Sequence, residues 1–281
     1  MAFVLTPTTP PAADAAISLE QYVDFVNQQV DIDEPDSLIA SAPQLAALAA
    51  NKHLLRDKIN EALKQPAQFQ QGNPYADTSL MLWSNSDHGY TDKRFFVRAN
   101  IWVVPKVYAN NATLDAELKA FQVAHNHNFS LLTAGYWGPG YRTDIYDLAV
   151  DTVQGRVGEK VDLRFAQSVT LAEGSILFFR RFQDVHIQYP PAELSISLNL
   201  IPLEKGKAWS EQYEFDLVNQ TISAINHTDV WNRVDLIRMA ALLGDGNTLD
   251  IISHLAAKAD NYRVQAAAQA ALAQLAQLAQ D

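Results

Sequence analysis

Apolar residues recur at three- and four-residue intervals between Ser18 and about Lys64: Leu19, Tyr22, Val23, Phe25 and Val26, then Leu38, Ile39, Leu45, Leu48, Leu54, Leu55, Ile59 and Leu63. That spacing gathers them on one side of a 3.6-residue turn and predicts helices. Ser18, with Glu20 and Gln21 behind it, reads as a capped helix start. Residues 1–17 are rich in Pro, Ala and Thr and show no apolar period, so an extended arm is expected, ordered only where it docks. Residues 65–92 read as loop apart from the apolar stretch Leu80–Trp83.

After Lys93 the period falls to two and the runs become β-branched and aromatic: Arg94–Val104, Phe121–His127, Phe129–Gly135, Thr143–Val150, Ser175–Phe182, Leu194–Ile201 and Tyr213–Val218. Turn residues such as Trp137-Gly138-Pro139-Gly140 separate them. Many short strands in series with no helices between them predict an antiparallel β-barrel or sandwich. From Asp229 the helical spacing returns in Val230–Leu243, Thr248–Ala259 and Tyr262–Leu278. The apolar stripe of these helices (Leu236, Ile237, Leu242, Leu249, Ile251, Ile252, Leu255, Val264, Leu272, Leu275, Leu278) is too long for two and a half helices to enclose. It is expected to cover the barrel or to meet the same stripe of a second chain. The resulting partition is 1–92 for the arm and helices, 93–227 for the barrel and 228–281 for the helical tail.

Composition then narrows the chemistry. The 281 residues carry a net charge of −11 without a Lys- or Arg-rich block. That argues against nucleic acid or a membrane surface as partner, because phosphate contacts need clustered positive charge. With no cysteine, a disulfide frame, a thiolate zinc site, an iron–sulfur cluster and a cysteine nucleophile are excluded. Any metal must rest on His and carboxylates. The N-terminus lacks the basic and apolar regions of a signal peptide and no apolar run approaches a membrane span, so a soluble, cytoplasmic protein is expected.

Among the seven histidines, His125-Asn126-His127 lies in an alternating stretch, which on a strand projects both imidazoles to one face and presents two neutral nitrogens to one ion. His186 precedes a further strand and can supply a third ligand from the inner face of a folded-over barrel. Each alone has a plainer role as a hydrogen-bonded structural histidine. Together with the strand series they read as metal ligands that leave open positions on a first-row metal. His53, His227 and His254 read as structural or exposed, and His88 as a loop residue.

At these residues a family likeness enters. His125-Asn126-His127, Gly138-Pro139-Gly140-Tyr141, Leu171-Ala172-Glu173-Gly174-Ser175, Asp184-Val185-His186 and Leu194-Ser195-Ile196-Ser197-Leu198-Asn199-Leu200 resemble the two motifs of the cupin superfamily, over roughly residues 93–205. Within it the chain most resembles cysteine dioxygenase and related thiol dioxygenases. Ordinary cupins place a ligating Glu four or five residues after His-x-His; Leu131 and Leu132 stand there. The resemblance therefore implies the three-His ferrous site of the thiol dioxygenases. It also matches Arg98 in rough position to the arginine that binds the substrate carboxylate, though a surface strand arginine is an equal reading. The family's Ser-x-His-x-Tyr run reads Ser197-Leu198-Asn199-Leu200-Ile201 here, so the titrating imidazole and the hydroxyl are gone and a substrate other than a thiol is expected. Tyr136, Tyr141 and Tyr146 with Trp137 either replace them at a pocket mouth or are ordinary sheet aromatics.

The resemblance implies a mainly β protein: a cupin double-stranded β-helix barrel with an N-terminal helical segment and a C-terminal helical tail. In that tail Asn261-Tyr262-Arg263-Val264-Gln265-Ala266-Ala267-Ala268 weakly resembles a HEAT repeat. The expected function is a non-heme Fe(II) dioxygenase that uses O2 on a small amino-acid-like or carboxylate substrate. His125, His127 and His186 would hold the metal, with Arg98, Asn199 and Tyr141 on the substrate side. A homodimer through the C-terminal helices is the expected assembly. Two alternatives stay open: a non-catalytic cupin binding module, and a 2-oxoglutarate-type oxygenase in which Asp144 or Asp147 displaces one histidine.

Overall fold

The computed structural model describes residues 3–5, 15–64, 78–84, 95–104, 121–203, 211–226, 229–243, 245–259 and 261–278. Its contacts form two compact units, Met1–Leu148 with Leu163–Lys205, and Ala149–Asp162 with Gly206–Asp281. The N-terminal helices share one core with the first sheet. The protein is mixed α/β, with two antiparallel sheets and flanking helices, where a mainly β chain was expected.

In the first unit, strands β1 (Phe3–Val4), β8 (Ile176–Phe179), β5 (Leu131–Trp137), β10 (Ser195–Pro202), β3 (Phe95–Trp102) and β2 (Ser79–Ser84) form one antiparallel sheet in that order. The arm is ordered where Phe3 and Val4 pair with Phe178 and Leu177, as docking required. Every long strand alternates between two destinations, since successive side chains leave a strand on opposite faces. Val97 and Ala99, Leu132 and Ala134, Ile176 and Phe178, and Leu198 and Leu200 join the core shared with the helices. Phe96, Leu131, Leu177, Phe179 and Ile201 join a second core with Tyr141 and Ile145. Both faces are covered; the helix-side positions are apolar throughout the long strands, while the other side also carries Arg98, Asn100, Thr133, Ser197 and Asn199.

The covering helices are α1 (Leu19–Gln29), α2 (Pro35–Ala40), α3 (Ala42–Ala50) and α4 (His53–Lys64). The expected start is present: the Ser18 hydroxyl accepts from the Gln21 amide while the Gln21 side chain accepts from the Ser18 amide. Proline at the first turn of α2 and of α3 suits a position whose N–H needs no partner. Tyr22, Val26, Leu38, Leu45 and Leu48 are fully or nearly fully buried against the sheet.

The second sheet holds β4 (Ala124–His125), β9 (Asp184–Tyr189), β6 (Arg142–Leu148) and β7 (Leu163–Thr170), hydrogen-bonded in that order. The run expected as a strand over Phe121–His127 is a strand only at Ala124–His125. The reason is at Asn126, which is buried and donates from its side chain to the Phe182 carbonyl at 3.1 Å, while the Phe182 amide donates to the His127 carbonyl at 2.8 Å. Phe182 sits at φ 60°, a left-handed conformation uncommon for a bulky residue, and these two bonds hold it there. Strands β7 and β9 carry no strand expectation. In β7 only Leu163 is buried, so it lacks an apolar alternation.

The second unit contains the hairpin β11 (Gln212–Asp216) and β12 (Thr221–Asn226), the loop 149–162, and helices α5 (Asp229–Leu243), α6 (Gly246–Lys258) and α7 (Tyr262–Leu278). The helix bounds agree closely with the apolar spacing, and Asp245 caps α6 through the Thr248 amide. Arg263 of α7 forms an ion pair with buried Glu211 and donates to the Gly155 carbonyl at 2.6 Å, joining helix, hairpin and loop. Of the stripe, the three helices enclose Ile237, Ile252 and Val264 among themselves. Leu236, Leu242, Leu249 and Ile251 remain exposed, as do Met239 and Leu243.

Candidate metal centre

His125 and His186 are direct cross-strand partners on β4 and β9, and Ile145 of β6 pairs with His186 on the other side. His127 follows two residues after His125, so all three rings converge: centroid separations are 4.4 Å for His125–His186, 4.9 Å for His127–His186 and 5.0 Å for His125–His127. Their ligand nitrogens lie within 4.8 Å of one another. Phe129 stacks on the His127 ring at 4.6 Å and Phe179 lies 4.6 Å from that of His186, fixing both rotamers.

The tautomers follow from the hydrogen bonds. His125 Nδ1 is 3.0 Å from the Val123 carbonyl and His186 Nδ1 is 3.3 Å from the Asp184 carbonyl. A carbonyl only accepts, so each Nδ1 carries the proton and each Nε2 is left as a lone-pair donor to a metal. His186 Nε2 is fully buried with no hydrogen-bond partner. Burial, reinforced by the neighbouring His125 and His127, pushes the His186 pKa well below its ordinary value, so the ring is neutral, as a ligand must be. A buried nitrogen left unsatisfied among three converging imidazoles fits a divalent metal of the first transition row.

Beside the cluster lies a cavity of about 290 Å³. The inner face of the first sheet supplies its floor through the alternation described above. Arg98, Asn100 and Trp102 follow one another at two-residue steps on β3, and Asn199 pairs across to Arg98 from β10. Gln188 comes from β9, two residues after His186 and on the same face. Tyr141 arrives from the turn before β6; Gly140 precedes it at φ 81°, so close to the Leu171 carbonyl that a Cβ would sit 2.0 Å from that oxygen. The Tyr141 hydroxyl is hydrogen-bonded to Gln188, and burial pushes its pKa above the ordinary phenol value, so it stays a proton donor.

All six residues singled out from sequence therefore meet: His125, His127 and His186 in the cluster, and Arg98, Asn199 and Tyr141 on the cavity wall. Arg98 is half-buried at the cavity, which settles its position though not its role. The other aromatics go elsewhere. Tyr136 faces the helices and donates to the Asn51 carbonyl, Trp137 is exposed, and Tyr146 packs edge-on against Phe165. Asp144 pairs in register with Ile187, on the opposite face of the ladder from His186, and Asp147 is bound by Arg180 at 2.6 Å. The His/Asp/His set is thus not assembled among the described residues. His53 and His254 are exposed; His88 and His227 lie outside the described residues. Asn100, Trp102 and Gln188 were missed, yet counting in steps of two from Arg98 and His186 finds all three.

Fold and site together define a mixed α/β protein of two antiparallel sheets with a three-histidine cluster at one cavity. No protein-family model matches the chain, and no curated protein matches it. Among solved structures it is similar to the Momordica charantia 7S globulin at 10% identity, over 50% of this chain and 34% of that one, with a TM-score of 0.27. The chain thus spans about a third of that protein's length. It is also similar to a structure from work on the DMSP lyases RdDddP and RnDddQII at 12% identity, over 71% of this chain and 77% of that one, with a TM-score of 0.23. TM-scores this low assign no fold. Among the described residues no helix is long and apolar enough to cross a membrane.

Proposed function

We propose that the protein is a cupin-type non-heme Fe(II) oxygenase that uses O2 to oxidise a small organic carboxylate, with His125, His127 and His186 as its metal ligands. The observation that carries this reading is the buried, partnerless Nε2 of His186 within reach of two further imidazoles. Iron, when held there, supplies the electron transfer between organic substrate and O2 that side chains alone lack. The chain's own part is positional. Phe129 and Phe179 lock two of the rings, the Val123 and Asp184 carbonyls fix the tautomers of His125 and His186, and Arg98 binds a carboxylate by two parallel hydrogen bonds. Tyr141, kept protonated and held by Gln188, donates a hydrogen bond into the cavity. The likeness to the cupin motifs over residues 93–205 supports the fold assignment.

Elemental analysis of the purified protein tests the site, and oxygen uptake over a panel of small acids tests the reaction. One iron per chain, lost in His125→Ala and His186→Ala, is expected. Cysteine should be a poor substrate, because Asn199 and Ile201 stand where the thiol dioxygenases carry His and Tyr. Iron retained at full stoichiometry in both variants overturns the ligand set. Cysteine-dependent oxygen uptake on the order of 1 per second or faster overturns the exclusion of thiols. A metal-free protein that still binds small ligands would instead favour a non-catalytic binding module.

A further inference from the structure

The inward face of a sheet is ordinarily apolar, yet the first sheet carries two polar rows across its strands there. Arg98, Asn199 and Thr133 are register partners on β3, β10 and β5, and Ser79, Asn100 and Ser197 on β2, β3 and β10. The second row satisfies itself in part: the Ser79 hydroxyl donates to Asn100 Oδ1 at 2.9 Å, and the Trp102 indole N–H donates to Ser197 Oγ at 2.9 Å. In the first row one amide donor is left over. Asn199 is 2% exposed and lines the cavity, and its Nδ2 is a buried donor with no partner. Such a group is costly unless a ligand oxygen meets it. The guanidinium of Arg98 lies directly across the ladder from it.

The rest of the wall is aromatic. The Trp102 ring lies 3.8 Å from that of Tyr141 and 5.4 Å from that of Phe121, and all three line the cavity. With its N–H committed to Ser197, Trp102 offers its ring rather than a donor. The lining includes no acidic side chain among the described residues, and so no anion to hold an ammonium group. At about 290 Å³ the cavity is at the small end of organic-ligand sites, with room for one ring and a short arm.

Taking this cavity as the substrate site proposed above, we infer that its substrate class is a planar, aromatic or conjugated carboxylate without an ammonium group. The carboxylate is bound between Arg98 and Asn199 Nδ2, and the ring lies against Trp102 and Phe121. An amino acid is disfavoured at this site, since no acidic side chain among the described lining residues meets its ammonium.

Calorimetric titration of the full chain, metal-free and loaded anaerobically with Fe(II), tests this with four probes: phenylacetate, hexanoate, phenethylamine and phenylalanine. Phenylacetate is expected to bind at least about tenfold tighter than each of the others, by the strength of charge-assisted and aromatic contacts. Arg98→Gln and Asn199→Leu should each weaken it about tenfold or more, and Phe121→Leu should bring it down toward hexanoate. Near-UV circular dichroism checks that each variant is folded, and Asn199→Leu gives the same reading should Arg98→Gln fail to fold. No binding of phenylacetate, binding of phenylalanine or phenethylamine as tight as that of phenylacetate, or a folded Arg98→Gln that binds unchanged overturns the inference. Iron measured on the same samples separates the two readings. Iron bound without the acid removes the substrate class and leaves the metal site, whereas acid bound by a chain that takes no iron does the reverse.

Discussion

Replacing His186 by Leu is expected to stabilise the metal-free protein while abolishing its response to metal. The native imidazole keeps one fully buried nitrogen without a partner, which costs about 1–3 kcal/mol. Its Nδ1 hydrogen bond to the Asp184 carbonyl, at 3.3 Å, returns about 0.5–1.5 kcal/mol. Leucine removes both terms at a similar volume, so the metal-free variant should gain about 1 kcal/mol, or about 2–4 °C in Tm. Metal reverses the order. At a free concentration a hundredfold above Kd it adds about 2.7 kcal/mol to the native protein and nothing to a variant that has lost a ligand. Thermal melts of both proteins with and without Fe(II) under nitrogen, or with Co(II) in air, read all four states. A metal-free His186→Leu that is less stable than the native protein by more than about 1 kcal/mol would falsify the claim that this nitrogen is unsatisfied. A variant Tm that still climbs with metal would show that the ion sits elsewhere.

Three further outcomes are expected. Glu211→Ala should destabilise the second unit by about 3–5 kcal/mol in urea titration, because it leaves Arg263 largely buried without its counter-charge; a loss under about 1 kcal/mol would mean that water replaces the carboxylate. Gly140→Ala should cost several times more than Gly158→Ala. Both glycines have positive φ, but a Cβ at Gly140 meets the Leu171 carbonyl and one at Gly158 meets nothing within 4 Å, so equal losses would show that backbone conformation alone decides. Light scattering should report a dimer, since Leu236, Met239, Leu242 and Leu243 leave water only when a second chain covers them; a monomer at micromolar concentration would show that this face is tolerated in solvent.

The helices were legible because their signals are local. The Ser18–Gln21 box announces the first start, and apolar spacing carries the rest. The three-histidine cluster was legible from the His-x-His spacing and the strand after it, although only His125 and His186 lie on strands. The residues of the cavity wall were legible one at a time, without the register that joins them. Nothing in the sequence says that Asn199 pairs with Arg98, a relation fixed by sheet formation between distant segments. Strand β7 was hidden because an edge strand with one buried residue has no core-facing pattern to read. That residues 149–162 group with the C-terminal elements is likewise a matter of tertiary contacts, such as the Gly158 amide to the Ile222 carbonyl, which no local pattern announces.

On β10, Leu198 and Leu200 belong to the scaffold under the helices and Asn199 to the cavity wall, one residue apart. This interleaving separates two kinds of mutational risk. A replacement at Asn199 can retune what the cavity accepts while the helix-facing leucines keep the unit folded. A one-residue insertion or deletion in the same strand exchanges the two sets at once, driving the amide into the oily layer and leucines onto the cavity wall. Diversification of this protein should therefore tolerate substitution and reject length change along its central strands, with insertions confined to the connections between them.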